Sequence, residues 1–172
     1  QCSASGSPVS PGSYCVIRDL TLESTYTGAS YASAIQATGC IGLLCERVEF
    51  INAQTGSGAA KAMDWDNGPG RLFQCRVVSV GCGVLGGSTG NTGLRIIEEC
   101  DIYTVDSVSG DARGIWTAGG PKFLILNTRV VAIATLGNAV GLYGTGAAST
   151  VNCDFLASHA GGGVESSRGI GM

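Results

Sequence analysis

Apolar and polar positions recur along this chain at intervals of 25 to 29 residues. Each copy has an apolar segment, a small or thiol residue, a charged residue and a further apolar residue. The charged members are Asp19, Arg47, Arg76, Asp101, Arg129 and Asp154. A repeat of this length predicts a solenoid, in which each unit buries its apolar face only against its neighbours. Residues one repeat apart, such as Val77 and Ile102, are then expected to stack directly.

A second phrase with the same period lies between the copies of the first. It begins with Ala or Gly, continues with an aliphatic residue or Met, and ends with a variable residue. Its copies are residues 34–36 (AIQ), 62–64 (AMD), 83–85 (GVL), 114–116 (GIW), 141–143 (GLY) and 163–165 (GVE). The alternation predicts a strand with one buried face, and the Gly-rich connections leave no room for a helix. We therefore expect an all-β parallel coil of about six units, each with two strands and two turns.

Composition agrees with this fold and excludes some functions. There are 28 Gly among 172 residues, and all four prolines lie outside the predicted strands. The formal charge is −3 with no basic stripe, so nucleic acid is not an expected partner. Apolar stretches are too short for a membrane helix. We expect residues 1–13 to form an N-terminal extended segment or cap, and residues 14–172 to form one domain of a longer chain or assembly.

Three segments carry a resemblance to a known family. Residues 97–102 (IEECDI) and 151–155 (VNCDF) fit one of its strands, and residues 114–117 (GIWT) fit another. Over about residues 14 to 167, the phrases resemble the right-handed parallel β-helix repeat of the pectin-lyase-like superfamily. That superfamily includes pectate lyases, polygalacturonases and trimeric bacteriophage tailspikes, and the Gly-rich, lysine-poor composition is most similar to the tailspikes. The resemblance implies a right-handed coil, a homotrimer, and a location at a virion surface or outside the cell.

The eight cysteines suggest an interior column. Cys75, Cys100 and Cys153 directly precede a charged residue of the repeat, and Cys45 is one residue out of step. Residues in one register stack about 4.8 Å apart. Two interpretations remain: a disulfide framework in a secreted protein, or reduced packing residues in a protein made in a reducing cytosol. The regular stack favours packing, and Cys2 with Cys15 is the best-placed pair for a disulfide.

The sequence predicts no cofactor and no metal site. It contains no Cys-x-x-Cys pair and only one histidine, His159. The charged residues of the first phrase alternate in sign in four of their five adjacent pairs. We interpret that column as stacked ion pairs that favour the correct register.

The third position of the second phrase predicts an outward column that combines aromatic and polar groups. Its members are Gln36, Asp64, Leu85, Trp116, Tyr143 and Glu165. Trp116 and Tyr143 offer flat apolar surfaces for sugar rings, and Gln36 and Glu165 offer hydrogen bonds to hydroxyl groups. The alternative is that the aromatic residues pack under a turn or against another chain.

Catalysis is a further possibility at Asp64 and Asp66. Two residues apart on a strand, their Cα atoms lie about 6.6 Å apart on one face, which suits the two carboxyl groups of an inverting glycosidase. Three functions therefore stay open. They are a polysaccharide-recognising β-helix of a viral tailspike or related surface fibre, a polysaccharide hydrolase or lyase, and a purely structural virion component.

Overall fold

The computed structural model describes residues 11–25, 33–37, 40–53, 60–66, 68–87, 93–105, 110–119, 122–144, 146–159 and, for the main chain, 167–171. These residues form strands and connections, with no helix among them. The strands are β1 (Val16–Ser24), β2 (Ser33–Gln36), β3 (Leu43–Asn52), β4 (Lys61–Trp65), β5 (Gly70–Phe73), β6 (Arg76–Val80), β7 (Cys82–Gly86), β8 (Leu94–Glu98), β9 (Asp101–Val105), β10 (Ala112–Thr117), β11 (Lys122–Leu126), β12 (Arg129–Ala134), β13 (Ala139–Gly144), β14 (Ala147–Val151), β15 (Asp154–His159) and β16 (Ser167–Gly171).

All strand pairs are parallel, and the strands form two sheets. The six-stranded sheet has the order β16-β13-β10-β7-β4-β2, so each strand pairs with its counterparts one repeat away. The larger sheet has the order β14-β11-β8-β5-β3-β6-β9-β12-β15, and β1 pairs with β3. The chain is therefore an all-β parallel solenoid of about four turns, built by β3 to β13, with further strands extending the sheets at both ends.

Each turn contains three strand segments, and the expectation of two was wrong. The first phrase of the repeat spans two segments, such as β5 and β6, which are separated by a residue with positive φ. The corner residues, whose φ values run from 47° to 54°, are Asp19, Arg47, Gln74, Glu99, Asn127 and Asn152. This left-handed conformation bends the chain, so a continuous apolar phrase in the sequence becomes two segments in space. The two segments are separate strands from β5 onward and the two halves of one strand in β1 and β3.

The predicted stacking is confirmed from Arg76 onward and for Asp19 on Arg47, but the step from Arg47 to Arg76 was misaligned. Val77 pairs with Ile102, and Arg76 pairs with Asp101. Arg76 lies opposite Glu49, not Arg47, in the preceding turn. Arg47 and Asp19 instead lie at the corner, where the Arg47 Nε donates a hydrogen bond to Asp19 Oδ1 at 2.6 Å. A charged residue followed by an apolar one occurs twice in this segment, at Arg47 and at Glu49. The sequence alone does not distinguish the two, and the one at Glu49 occupies the stacked position.

The core runs through the centre of the coil and receives one buried row from each strand segment. Fully buried members include Phe50, Val77, Ile102 and Val130 on the second segment of the larger sheet. The first segment contributes Cys45, Leu72, Ile97 and Ile125, and the six-stranded sheet contributes Met63, Val84 and Ile115. Burial of these apolar side chains between stacked turns is the main stabilising contribution that a solenoid has.

Six of the seven described cysteines pack in this core as free thiols, and Cys82 is buried outside it. Cys75 and Cys100 are buried in adjacent turns, and the Asp101 amide donates a hydrogen bond to the Cys75 carbonyl at 3.0 Å. Cys45 pairs with Leu72, so it belongs to a different row and is not a shifted member of this one. All seven cysteines that the structure describes are unbonded, including Cys15. Cys2 lies outside the described residues, as do the first ten residues of the expected cap.

One cation lies inside the coil. Arg95 is fully buried, and its guanidinium donates hydrogen bonds to the carbonyl oxygens of Asp66 (3.2 Å) and Gly68 (3.3 Å). Its Cζ lies 5.6 Å from the ring centroid of Trp65 and 5.5 Å from that of Phe123. Desolvation lowers the pKa of Arg95 to about 10, against the opposing effect of the Asp66 charge. The two rings and two carbonyls partly replace the water that this group loses.

Candidate functional site

The predicted outward column exists on the six-stranded sheet. Gln36 pairs with Asp64, Asp64 with Leu85, Leu85 with Trp116, and Trp116 with Tyr143. We call these five residues the aromatic row. Glu165 was expected to follow Tyr143 in this row, but β16 places Gly171 at that position. Glu165 itself lies outside the described residues, so its proposed contact with sugar is untested.

A second outward row runs beside the aromatic row, and sequence reasoning missed it. Lys61, Cys82 and Arg113 pair with one another across successive strands. Each of them precedes a member of the aromatic row by three residues in the sequence. Strict alternation would place two such residues on opposite faces of the sheet. The alternation is broken because Ile115 is buried and a Cβ added at Gly114 would lie 2.1 Å from Val130 in the core. Because Gly114 and Ile115 both face the interior, Arg113 lies on the same face of the sheet as Trp116.

The two rows meet in an aromatic cluster. The rings of Trp116 and Tyr143 are 6.0 Å apart between centroids, at an interplanar angle of 60°. The Arg113 guanidinium lies 4.4 Å from the Trp116 centroid and 4.7 Å from that of Tyr143. Tyr143 is 38% exposed and Trp116 is half-buried. Stacking on the cation fixes both rings while Tyr143 stays accessible to a ligand.

Arg113 is held in place by Asp111 of its own turn, which Asn138 of the adjoining turn supports. Its Nη2 contacts the Asp111 carboxylate, which also accepts hydrogen bonds from the Asn138 amide (2.9 Å) and from Asn138 Nδ2 (3.1 Å). Desolvation raises the pKa of Asp111, but the bonds from Asn138 and the Arg113 charge outweigh it, so the pKa lies below its ordinary value. Asp111 is therefore a carboxylate that positions the cation under the rings.

Asp64 and Asp66 are held by different surroundings. The Asp64 carboxylate accepts a hydrogen bond from Lys61 Nζ at 2.9 Å, within the outward rows. Asp66 follows the end of β4, and its Oδ1 would lie 2.0 Å from a Cβ added at Gly87 in the next turn. The carboxyl group of Asp66 thus lies against neighbouring main chain. The proposed acid and base pair stays a prediction, and the Lys61 ion pair gives Asp64 a structural role.

The described part of the face carries balanced charge. Lys61 is paired with Asp64, and Arg113 with Asp111. Between the two cations lies Cys82, whose burial raises its pKa to about 12 although Lys61 and Arg113 act in the opposite direction. Its thiol is therefore protonated and behaves as an apolar group. Within the described ranges, no cluster of three or more His, Cys, Asp or Glu side chains is arranged to hold a metal ion.

Comparison with known proteins gives no further assignment. No family model, curated protein or solved structure matches the chain. Among the described residues, no helix has the length and hydropathy that crossing a membrane requires.

Proposed function

We propose that the chain is a carbohydrate-recognising β-helix of a viral tailspike or related surface fibre, and that it binds a polysaccharide along the aromatic row. The supporting observation is the cluster of Arg113, Trp116 and Tyr143. An accessible tyrosine ring on a rigid sheet provides an apolar plane for a sugar ring. Gln36 at the far end of the row supplies amide groups for hydroxyls.

The balanced ion pairs support a glycan as the ligand. A face whose described cations are each paired with a carboxylate attracts highly charged ligands weakly. The same ion pairs offer several fixed donors and acceptors, which hydroxyl groups use readily. The chemical class that fits the face best is therefore a polyhydroxylated chain.

We also propose the hand of the coil, its number of turns and its location, as the repeats and the family resemblance lead us to expect. The coil is right-handed and has six turns, because β1 and β2 at one end and β14 to β16 at the other continue the same columns of strands. Right-handed connections between parallel strands of one sheet predominate for steric reasons. The chain is made in a reducing cytosol, which agrees with its free buried thiols, and acts at a virion surface or outside the cell.

A purely structural virion role is the second candidate. The outward apolar residues of the larger sheet, such as Tyr103 and Leu156, favour an assembly function. In that case the unmodified chain binds no glycan, and Trp116 and Tyr143 contribute only to packing.

Glycan-array binding of the double variant Trp116→Ala, Tyr143→Ala tests the proposed function. We expect binding of the unmodified chain to a bacterial polysaccharide and at least a tenfold loss in the variant. Tyr14→Ala is the matched control, because Tyr14 is the most exposed large apolar residue described and its ring lies beside Gly42, which is not part of the aromatic row. Binding that survives in the double variant eliminates the aromatic row, and absence of any binding favours the structural role.

A further inference from the structure

The larger sheet carries an apolar outer face that neither the core nor the aromatic row uses. Two neighbouring outward rows on its second strand segments consist of apolar residues. They are Ile51, Val78, Tyr103, Val131 and Leu156 in the first row, and Val80, Val105 and Ile133 in the second, which the polar Ser158 continues. Tyr103 is 39% and Leu156 51% exposed, and the other six are half-buried. We call these eight residues the apolar face.

A row of alternating charge borders the apolar face. Glu49, Arg76, Asp101, Arg129 and Asp154 follow one another in register. Arg76 is bound to Glu49 at 2.5 Å. Asp101, Arg129 and Asp154 are exposed, and none of them makes an ion pair in the part of the chain that the structure describes.

We propose that the apolar face binds a second copy of this chain in a two-fold symmetric dimer whose solenoid axes run in opposite directions. The two-fold axis follows the strand direction and passes between the turns of Asp101 and Arg129. Each row then faces its own counterpart in reverse order. This dimer extends beyond the proposed glycan site, does not depend on it, and is an alternative to the homotrimer that the family resemblance implies.

The charged row is self-complementary in this arrangement. Asp101 faces Arg129 of the second copy, and Arg76 faces Asp154 of the second copy. The two-fold axis repeats both pairs, so all four contacts join opposite charges. Asp101, Arg129 and Asp154, which lack partners in the single chain, all acquire one.

The apolar rows match in the same arrangement. Tyr103 faces Val131 of the second copy, Val78 faces Leu156, and Val105 faces Ile133. A two-fold axis along the solenoid would instead place the charged row against the Val80, Val105 and Ile133 row. Burying those charges against apolar groups is unfavourable, so the antiparallel arrangement is favoured.

The size of the face sets the expected affinity. Five turns at about 4.8 Å and five strand residues at about 3.3 Å give roughly 400 Å² per copy. This is smaller than the roughly 800 Å² per partner of a standard stable interface. We therefore expect a weak dimer that forms only at high protein concentration.

Sedimentation equilibrium of the full chain tests whether two copies associate. The mass is expected to rise with concentration from 17.4 kDa to twice that value. A chain that stays monomeric up to about 1 mM, or that forms the trimer implied by the family resemblance, overturns the proposal. Lys122→Glu is a charge-reversal control on an exposed position outside the face and is expected to dimerise normally.

Two complementary variants test the charge pairing. Asp101→Arg with Asp154→Arg makes the row from Arg76 onward positive, and Arg76→Glu with Arg129→Glu makes the whole row negative. Each variant alone is expected to be monomeric, with the far-ultraviolet circular dichroism of the unmodified chain, and an equimolar mixture is expected to dimerise. Because a misfolded variant would not be rescued by mixing, recovery identifies the contact. Dimerisation of either variant alone, or no association in the mixture, contradicts the proposed pairing.

Photo-crosslinking tests the orientation. A benzoylphenylalanine at Val78 is expected to join Leu156 or its neighbours in the second copy. A crosslink between the two copies of position 78 would show a parallel arrangement and overturn the proposal.

Discussion

Asn152 donates a hydrogen bond from its Nδ2 to Oδ1 of Asn127 across one turn of the solenoid, at 2.8 Å. Both residues have positive φ, 52° and 47°. Asn adopts this conformation more readily than most residues, because its short side chain bonds locally. The corner between the two segments of the larger sheet is therefore built from residues that combine a permitted backbone with a polar stack.

Asn127→Val tests this corner. A β-branched residue is strained at positive φ and loses the bond to Asn152, so we expect the free energy of unfolding to fall by about 2 kcal/mol. Asn127→Gly removes the same bond without the strain, and its expected loss is below about 1 kcal/mol. Urea denaturation measures both values. Equal losses in the two variants would mean that backbone conformation does not constrain the corner.

Gly114→Ala tests the close approach that places Arg113 on the binding face. The new Cβ would lie 2.1 Å from Val130 Cγ1 and 2.6 Å from the Gly141 carbonyl oxygen. Since one of these atoms is main chain, the clash is not relieved by a side-chain rotation, and we expect a loss of about 3 kcal/mol. Gly12→Ala, where nothing lies within 4 Å of the added Cβ, is the matched control and is expected to change little. Similar denaturation midpoints for the two variants would refute this packing.

Asp111→Asn tests the support of Arg113 through pH. The pKa of Asp111 in the fold lies below its ordinary value of 3.8, because the bonds from Asn138 and the Arg113 charge outweigh desolvation. A lowered pKa means that the fold prefers the carboxylate. The stabilisation is complete above about pH 3.8 and is lost as pH falls through the folded-state pKa.

The measurement is the difference in unfolding free energy between the unmodified chain and Asp111→Asn. We expect a constant difference between about pH 5 and 7, which shrinks below about pH 3.8. A difference that stays the same at low pH would show that Asp111 acts without its charge.

Thiol labelling tests the packing interpretation of the cysteines. Cys15 and Cys153 are half-buried, whereas Cys40, Cys45, Cys75, Cys82 and Cys100 are buried. Desolvation raises the pKa of Cys45 and Cys82 well above the ordinary thiol value, so these groups are neither exposed nor ionised near pH 8. Peptide mapping after labelling of the folded chain is expected to find Cys15 and Cys153 modified long before the five buried cysteines. Rapid labelling of Cys45 would argue against a closed core, and rapid labelling of Cys82 would argue against close packing of the outward row that it shares with Lys61 and Arg113.

Sequence periodicity was sufficient for the solenoid and for much of the candidate face. Val77 and Ile102 stack as expected, and Asp64, Leu85, Trp116 and Tyr143 share one outward row. These predictions succeeded because a one-faced strand repeats its burial at every second residue.

The errors occurred where the backbone departs from that alternation. Arg47 was aligned with Arg76 although it occupies the corner, because positive φ leaves no mark in a pattern of apolar and charged residues. Arg113 was missed because Gly114 and Ile115 both face the interior. The recurrent Ala or Gly at the position of Gly114 was the available signal, since a small residue repeated at one register indicates a close approach. Gly171 lies next to Tyr143 because a Gly-Ile pair, at Gly169, follows the Gly-Val pair at Gly163 a few residues later.

The most direct test of the whole account is whether successive turns lie in the register described. In the folded chain with labelled methyl groups, a nuclear Overhauser effect is expected between the methyls of Val77 and those of Ile102, which pair across adjacent turns. A similar effect is expected between Leu72 and Ile97 on the other segment. Absence of both effects in a well-resolved spectrum would contradict the stacked solenoid and, with it, the binding face and the dimer.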